Sequence, residues 1–477
     1  MIDILLVNPQ EKGGFFERMP PLGLAHIASN LEKHNYSVKI VDFEVEQKNI
    51  DYWLNTLQPQ CVGISGTSHT RFEAFKLARE VKKFNQEIVT IYGGVHATFT
   101  AHDTLKNNKE IDYVVRGEGE QVVPNLLDAI KNGKKLTHVA GITYRDENGI
   151  VENRPAQRIK NLDALPRPVY HLLNMNAYSL DMPFLHKKGI STITSRGCTA
   201  KCTFCSASTM FDHQITTHSA SYVLDEIALL FDTYGFEGIK IFDSTLTMKR
   251  DHIDAFCDEI LRRGIVFPWE CEIRVGTVDQ ELLVKMKKAG CYYVNFGIES
   301  ASQRVLNLMR KGFTIEEAEK LLLLCRDVGI KTKVFFSFGH IGETMADVEK
   351  TFSFIDTHKK LITTVASGAG VRIYPGTYLE TYARDNGLLP SDFHWSKPYD
   401  DKRLESILQT PCVPILVQPQ LGFDELEKIA LRIYSKRFSG WQGFKRGITK
   451  VTDKDKLKKL RQLVKLRFKN IVKKPRS

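Results

Sequence analysis

No stretch of this chain is an uninterrupted apolar run of membrane-spanning length, for which about 20 residues are needed. The opening run Met1-Ile2-Asp3-Ile4-Leu5-Leu6-Val7-Asn8-Pro9 is apolar but short, carries Asp3 where a secretory leader is basic, and has no small-residue cleavage site. It reads as a buried strand and not as a signal peptide. A disulfide framework is also missing. Cys61, Cys257, Cys271, Cys291, Cys325 and Cys412 are scattered without regular spacing, which points to a reducing, cytoplasmic setting. Net positive charge is missing from the body: between Lys445 and Ser477 fourteen Lys and Arg face only Asp453 and Asp455, a surplus of +12 against +11 for the whole chain. The basic balance therefore belongs to a C-terminal appendage, and no nucleic-acid reading module accompanies it, so no nucleic-acid partner is expected.

What is present suits a globular enzyme. At 477 residues, with 42% hydrophobic and 26% charged residues, the chain is expected to divide into two or three domains. Over residues 1–135 short apolar runs (4–8, 38–42, 62–65, 88–92, 113–116) alternate with helical patterns (22–34, 72–84, 120–131). That rhythm predicts an α/β domain, a Rossmann-like doubly wound parallel sheet. Glycine-containing turns follow its strands at Ser65-Gly66-Thr67, Gly93-Gly94-Val95-His96-Ala97-Thr98 and Gly117-Glu118-Gly119-Glu120, where ligands of such sheets bind. A hairpin with Glu147-Asn148-Gly149 at its tip and the connector Leu165-Pro166-Arg167-Pro168 make 136–185 a linker. Over 186–385 longer βα units return, with strands at 190–195, 238–242, 269–274, 293–297, 331–338 and 368–374. Six units predict a partial TIM-type (β/α)6 barrel whose catalytic face lies at the strand C-termini. Residues 386–477 are expected to form a mainly helical extension with a basic tail.

After the first barrel strand stands Ser195-Arg196-Gly197-Cys198-Thr199-Ala200-Lys201-Cys202-Thr203-Phe204-Cys205. The CxxxCxxC spacing can place three thiolates on one cubic iron-sulfur cluster, leaving one iron open for a substrate. The alternatives are a zinc site or plain buried thiols; zinc wants a fourth ligand, and His213 lacks the paired partner that structural zinc sites show. Cys271 and Cys291 lie in apolar runs and read as small core residues.

The loop with Phe204 before its last cysteine resembles that of the radical S-adenosylmethionine (SAM) superfamily. Together with Pro20-Pro21-Leu22-Gly23-Leu24-Ala25 and the two glycine loops at 93–98 and 117–120, it resembles the cobalamin-binding branch, the methyltransferase-like family, over about residues 1–385. The resemblance implies a 4Fe-4S cluster on Cys198, Cys202 and Cys205, SAM chelated to the open iron, and cobalamin whose nucleotide tail enters the pocket of the N-terminal loops. It places Asp243 and Ser244 near the methionyl amino end, Glu299 and Ser300 near the ribose or amino group, and Phe204, Ile341 and the backbone at Tyr374-Pro375 around the adenine. Arg274 would bind the SAM carboxylate or pair with Glu272 or another acid. His96 sits in a cofactor loop but equally could be a turn residue. One departure is plain: where related cobalamin domains carry D-x-H-x-x-G, this chain reads Asn8-Pro9-Gln10-Glu11-Lys12-Gly13, so no histidine is offered to cobalt. The implied chemistry is reductive cleavage of SAM to a 5′-deoxyadenosyl radical and C-methylation of an unactivated carbon on a small-molecule or lipid substrate, with flavodoxin or ferredoxin as electron donor. Alternatives are oxidative cyclisation, rearrangement, or a non-catalytic sensor, for which no output domain is evident. In the tail, Leu457, Leu460, Val464, Phe468 and Ile471 recur at helical spacing on a cationic background, the pattern of a helix that docks either on anionic membrane or on the protein's own body.

Overall fold

The computed structural model describes residues 1–11, 18–399, 401–407 and 412–437. The basic tail lies outside the described residues. The chain opens with β1 (Ile2–Asn8), α1 (Leu22–Lys33), β2 (Val38–Asp42), α2 (Ile50–Leu57), β3 (Pro59–Ser65), α3 (Arg71–Phe84), β4 (Val89–Gly93), α4 (Val95–Asn107), β5 (Tyr113–Val115) and α5 (Gly119–Lys131). The hairpin β6 (Ile142–Asp146) and β7 (Gly149–Glu152) completes a seven-stranded sheet of order β2-β1-β3-β4-β5-β6-β7. Pairs among β1 to β5 are parallel, and β6 and β7 are antiparallel additions. Side chains of β1 explain why both faces are covered: Ile4 and Leu6 pack with α1 and α5, whereas Leu5 and Val7 pack with α2, α3 and α4. The period of two sends alternate residues of one apolar run into two cores.

After the linker come β8 (Leu180–Asp181), β9 (Lys188–Thr192), β10 (Ser195–Arg196), α6 (Ala207–Met210), β11 (Thr216–Thr217), α7 (Ala220–Tyr234), β12 (Gly238–Ile241), α8 (Arg250–Arg263), β13 (Trp269–Glu272), α9 (Gln280–Lys288), β14 (Cys291–Glu299), α10 (Gln303–Leu308), α11 (Ile315–Val328), β15 (Lys331–Phe338), α12 (Met345–Thr357), β16 (Thr364–Ala369), α13 (Tyr378–Asp385) and α14 (Phe423–Arg437). The second sheet has the order β16-β15-β14-β13-β12-β9-β8. Its strands from β9 to β16 run parallel, with β8 antiparallel on the edge. This is a partial barrel, with α14 packed at β16.

Three elements differ from the expectation. Helix α2 went unread, and the loop expected at 93–98 is instead the start of α4, capped by Gly94 at φ 102. The sixth barrel strand falls at Thr364–Ala369 and not at 368–374, because Gly370 at φ 83 ends it. The chain beyond turns to the C-terminal extension, with Ile373 N–H donating to Pro414 and Leu416 N–H to Val371.

Candidate active site between the two domains

The strand exit that bears the cysteines is fixed from below by Asp243. This carboxylate, 2% exposed, accepts from Thr194 N–H and Oγ1–H at 2.7 and 2.6 Å and from Ser195 N–H and Oγ–H at 3.0 and 2.6 Å. Four donors occupy both oxygens, so Asp243 holds the base of the cluster loop, and the methionyl amino group expected beside it finds these lone pairs already engaged. Gly197, at φ 95, makes the turn into Cys198; a Cβ there would stand 2.0 Å from the Gln214 carbonyl, so only glycine fits. Within the loop, Thr203 N–H donates to Met309 at 3.0 Å and its carbonyl accepts from Leu379 N–H at 2.9 Å.

Cys198 is buried, and Cys202 and Cys205 are half-buried. Burial raises the Cys205 thiol, with the neighbouring Cys202 and Cys198 adding to the rise and the Ala207 amide and Lys311 opposing it. A bound iron-sulfur cluster would offset that burial cost by stabilising the thiolate. Among the described residues no three Cys, His, Asp or Glu side chains, the three cysteines included, are drawn together closely enough to hold a metal ion. Arg274 donates to Cys202 Sγ at 3.6 Å and to the Lys311 carbonyl. Its partners are thus a thiol and a backbone oxygen, and Glu272 is not among them; burial raises the Glu272 carboxyl to about 7 against the pull of Lys240 and Lys333.

The remaining strand exits divide into open and closed groups. Glu299 sits at a bulge in β14 with φ 70, accepts from Ser337 Oγ–H at 2.6 Å and lies 3.6 Å from the buried Lys311 Nζ. Ser300 is fully buried and faces Thr351 on α12, so it braces the turn. Phe204 packs with Ile341 on an apolar cluster and its ring lies 5.2 Å from that of His340. His340 is held neutral by burial and by Lys311, with its pKa lowered to about 3. Pro375 is buried, the Tyr374 carbonyl accepts from Thr377 Oγ1–H at 2.7 Å, and the Tyr374 hydroxyl reaches His69 at 3.1 Å.

A cavity of about 310 Å³ lies where the two domains meet. Ser65, Gly93, Gly94, Gly117, Glu118 and Gly119 wall it on one side, and Ser195, Arg196, Gly197 and Ser244 on the other. Gly66, Thr67, His96, Ala97 and Thr98 are not part of that wall. A Cβ on Gly66 would meet the Tyr92 ring, Thr67 bonds within its own turn to Thr70, and Ala97 is in the core. Thr98 Oγ1 accepts from Gly117 N–H at 3.0 Å, tying the two glycine loops together. His96 lies in the first turn of α4, with Nδ1 3.0 Å from the Ser68 hydroxyl and its ring edge-on to Trp395. At Gly23 and Gly117 an added Cβ would meet nothing within 4 Å, so these glycines leave open a cradle that side chains would fill. His26 and Arg196, which also line the cavity, were not anticipated. Burial and the nearby Arg196 lower His26 to about 4, keeping it neutral.

Comparison with known proteins identifies the pair of domains. Residues 15–127 match the B12 binding domain, and 192–355 match the radical SAM superfamily. A protein of Pyrococcus horikoshii described as an uncharacterized methyltransferase is 36% identical over 406 residues, 83% of this chain and 86% of that one. This chain is a cobalamin-binding radical SAM protein. The anaerobic magnesium-protoporphyrin IX monomethyl ester cyclase of Rubrivivax gelatinosus is 30% identical over 363 residues, 73% of this chain and 64% of the cyclase. The solved structure of OxsB, a cobalamin-dependent SAM radical enzyme with aqua-cobalamin and SAM bound, superimposes with a TM-score of 0.73 at 18% identity, covering 96% of this chain and 70% of that one. The cofactors of a cobalamin-binding radical SAM protein are a 4Fe-4S cluster, SAM and cobalamin. The three thiols and the glycine cradle fit the first and the last. No helix among the described residues is long and apolar enough to cross a membrane.

Proposed function

We propose that this enzyme is a cobalamin-dependent radical SAM methyltransferase acting on an unactivated carbon of a small molecule or lipid. The observation that carries the reading is the cavity itself: the glycine loops of the B12-binding domain and the base of the cysteine loop form its two opposing walls, so two cofactors with complementary chemistry meet over one barrel mouth. The methyltransferase description of the Pyrococcus horikoshii relative supports it. When bound, the reduced cluster with SAM supplies a hydrogen-abstracting radical and methylcobalamin supplies the methyl group.

The chain's own residues hold these cofactors. Cys198, Cys202 and Cys205 hold the cluster. Lys311, buried beside Glu299 and 5.8 Å from the Phe204 ring centre, makes with Glu299 a zwitterionic pair that complements the ammonium and carboxylate of SAM. Phe204 and Ile341 supply an apolar slot for the adenine, bordered by Tyr374 and Pro375, and Ser244 stands exposed at the cavity wall. Oxidative cyclisation is the second reading, favoured by the identity to the cyclase.

Two measurements test the proposal. Alanine at any one of Cys198, Cys202 or Cys205 should reduce bound iron from about four per chain after anaerobic reconstitution and abolish SAM cleavage; full iron and full cleavage would refute the ligand assignment. Reconstituted enzyme given SAM, cobalamin and a cell extract should yield products heavier by one CH2, a methyl group in place of a hydrogen. Products lighter by two hydrogens would favour cyclisation.

A further inference from the structure

Arg196 stands one residue before the glycine that turns the chain into Cys198, yet its guanidinium is held by the other domain. Nη1 donates to Glu118 Oε1 at 2.8 Å and Nη2 to Glu120 Oε1 at 2.6 Å. The three side chains are nearly sealed, at 12%, 9% and 6% exposure. Glu118 is pinned in turn, its Oε2 accepting from Ile159 N–H at 2.8 Å. From the barrel side Asp243 grips the two preceding residues, Thr194 and Ser195. Residues 194–196 are therefore clamped between one barrel carboxylate and two carboxylates of the B12-binding domain. Arg196, Glu118 and Glu120 also line the interdomain cavity. Whatever fills that cavity touches the residues that set where the cysteine loop starts, and a buried pair of this kind cannot be loosened by degrees, because a lost partner leaves an uncompensated charge out of water.

We infer that Arg196 is a positioning residue that couples occupancy of the interdomain cavity to the ordering of the loop bearing Cys198, Cys202 and Cys205. The inference rests on reading the cavity as the cobalamin pocket and the three thiols as cluster ligands. Coupling of this kind is reciprocal: if cobalamin orders the loop, cluster loading tightens cobalamin by the same factor.

The test uses the full chain, iron-free and reconstituted, with hydroxocobalamin as the probe. Cluster loading should tighten the hydroxocobalamin Kd of the wild type by about 5-fold or more, and hydrogen exchange over residues 195–206 of the iron-free wild type should slow when hydroxocobalamin is added. In Arg196→Gln the affinity ratio should fall to about 1 and the slowing should vanish. Arg196→Lys should recover only part of both, because an ammonium keeps the charge without the two-pronged fork. Glu120→Gln, which takes one negative charge from the clamp and leaves Arg196 in place, gives the same reading if Arg196→Gln does not fold. A wild-type ratio in Arg196→Gln or Glu120→Gln, or unchanged exchange in the wild type, would overturn the coupling. A wild type that binds neither iron nor hydroxocobalamin would overturn the cofactor assignment beneath it, an outcome separable from a wild type that binds both without coupling.

Discussion

Glu343 is a carboxyl with no exposure. One of its oxygens accepts from the Gly339 and His340 amides at 2.6 and 3.0 Å, and the other has no partner. Burial pushes its pKa from 4.5 up to about 7, with Asp347 adding to the rise and the two amides and Arg304 opposing it. A carboxyl whose value is higher in the folded than in the unfolded chain contributes its stability in full below about pH 4.5 and loses it as pH climbs through about 7. Glu343→Gln keeps an oxygen for the two amides and removes the charge. Relative to this variant, the wild type should lose up to about 3 kcal/mol of unfolding free energy between pH 4.5 and 8. Denaturant unfolding at both ends of the range checks it, and parallel profiles would show that the carboxyl does not titrate there. The loop is also held from the C-terminal extension: Gln418 donates to the His340 carbonyl at 2.8 Å and accepts from Gly342 N–H at 3.0 Å.

Helix α1 belongs to two functions at once, one face in the core of the B12-binding domain and its first turn on the cavity. Gly23 in that turn has open space where a side chain would go. Its backbone is helical, so a larger residue meets no conformational penalty and gains helix propensity, roughly 1 kcal/mol in a helix interior and less in a first turn. Gly23→Leu should therefore keep or slightly raise the melting temperature while cutting cobalamin retention after gel filtration. Retention equal to the wild type would mean that this wall of the cavity is not where the cofactor lies.

The two domains are joined by more than the linker. Arg71, at the start of α3, is fully buried and donates to three backbone carbonyls: Trp395 at 2.8 Å, Cys412 at 2.6 Å, and Ser68. Two of these acceptors belong to the C-terminal extension, which in turn bridges Arg372 to Ile415 beside the barrel. Phe99 on α4 meanwhile occupies the space that a side chain on Gly376 would need. Arg71→Met leaves three carbonyls without their donor, at about 1–3 kcal/mol each. A loss of at least about 3 kcal/mol is expected, with separate melting of the two halves visible by calorimetry. One unshifted transition would show that Arg71 is not a strut between them.

The alternation of apolar residues by itself determined most of the strands, because one run such as Ile4 to Val7 must serve two cores when both faces of a parallel sheet are covered. The spacing of Cys198, Cys202 and Cys205 likewise was enough to propose a cluster loop, since ligands only a few residues apart need little help from the rest of the fold. Which groups those loops leave available was decided only in three dimensions. Asp243 and Ser300 read as ligand contacts, but burial places Thr194, Ser195 and Thr351 within their reach, and a buried polar group takes the partner at hand. Gly370, at φ 83, ends the sixth strand early, and residues 371–373 beyond it pair with 414–416 instead of continuing the barrel sheet. The clamp on Arg196 joins residues 78 and 76 apart in the chain. Local periodicity carries no information over such a separation, and only the docking of one domain on the other brings those charges into contact.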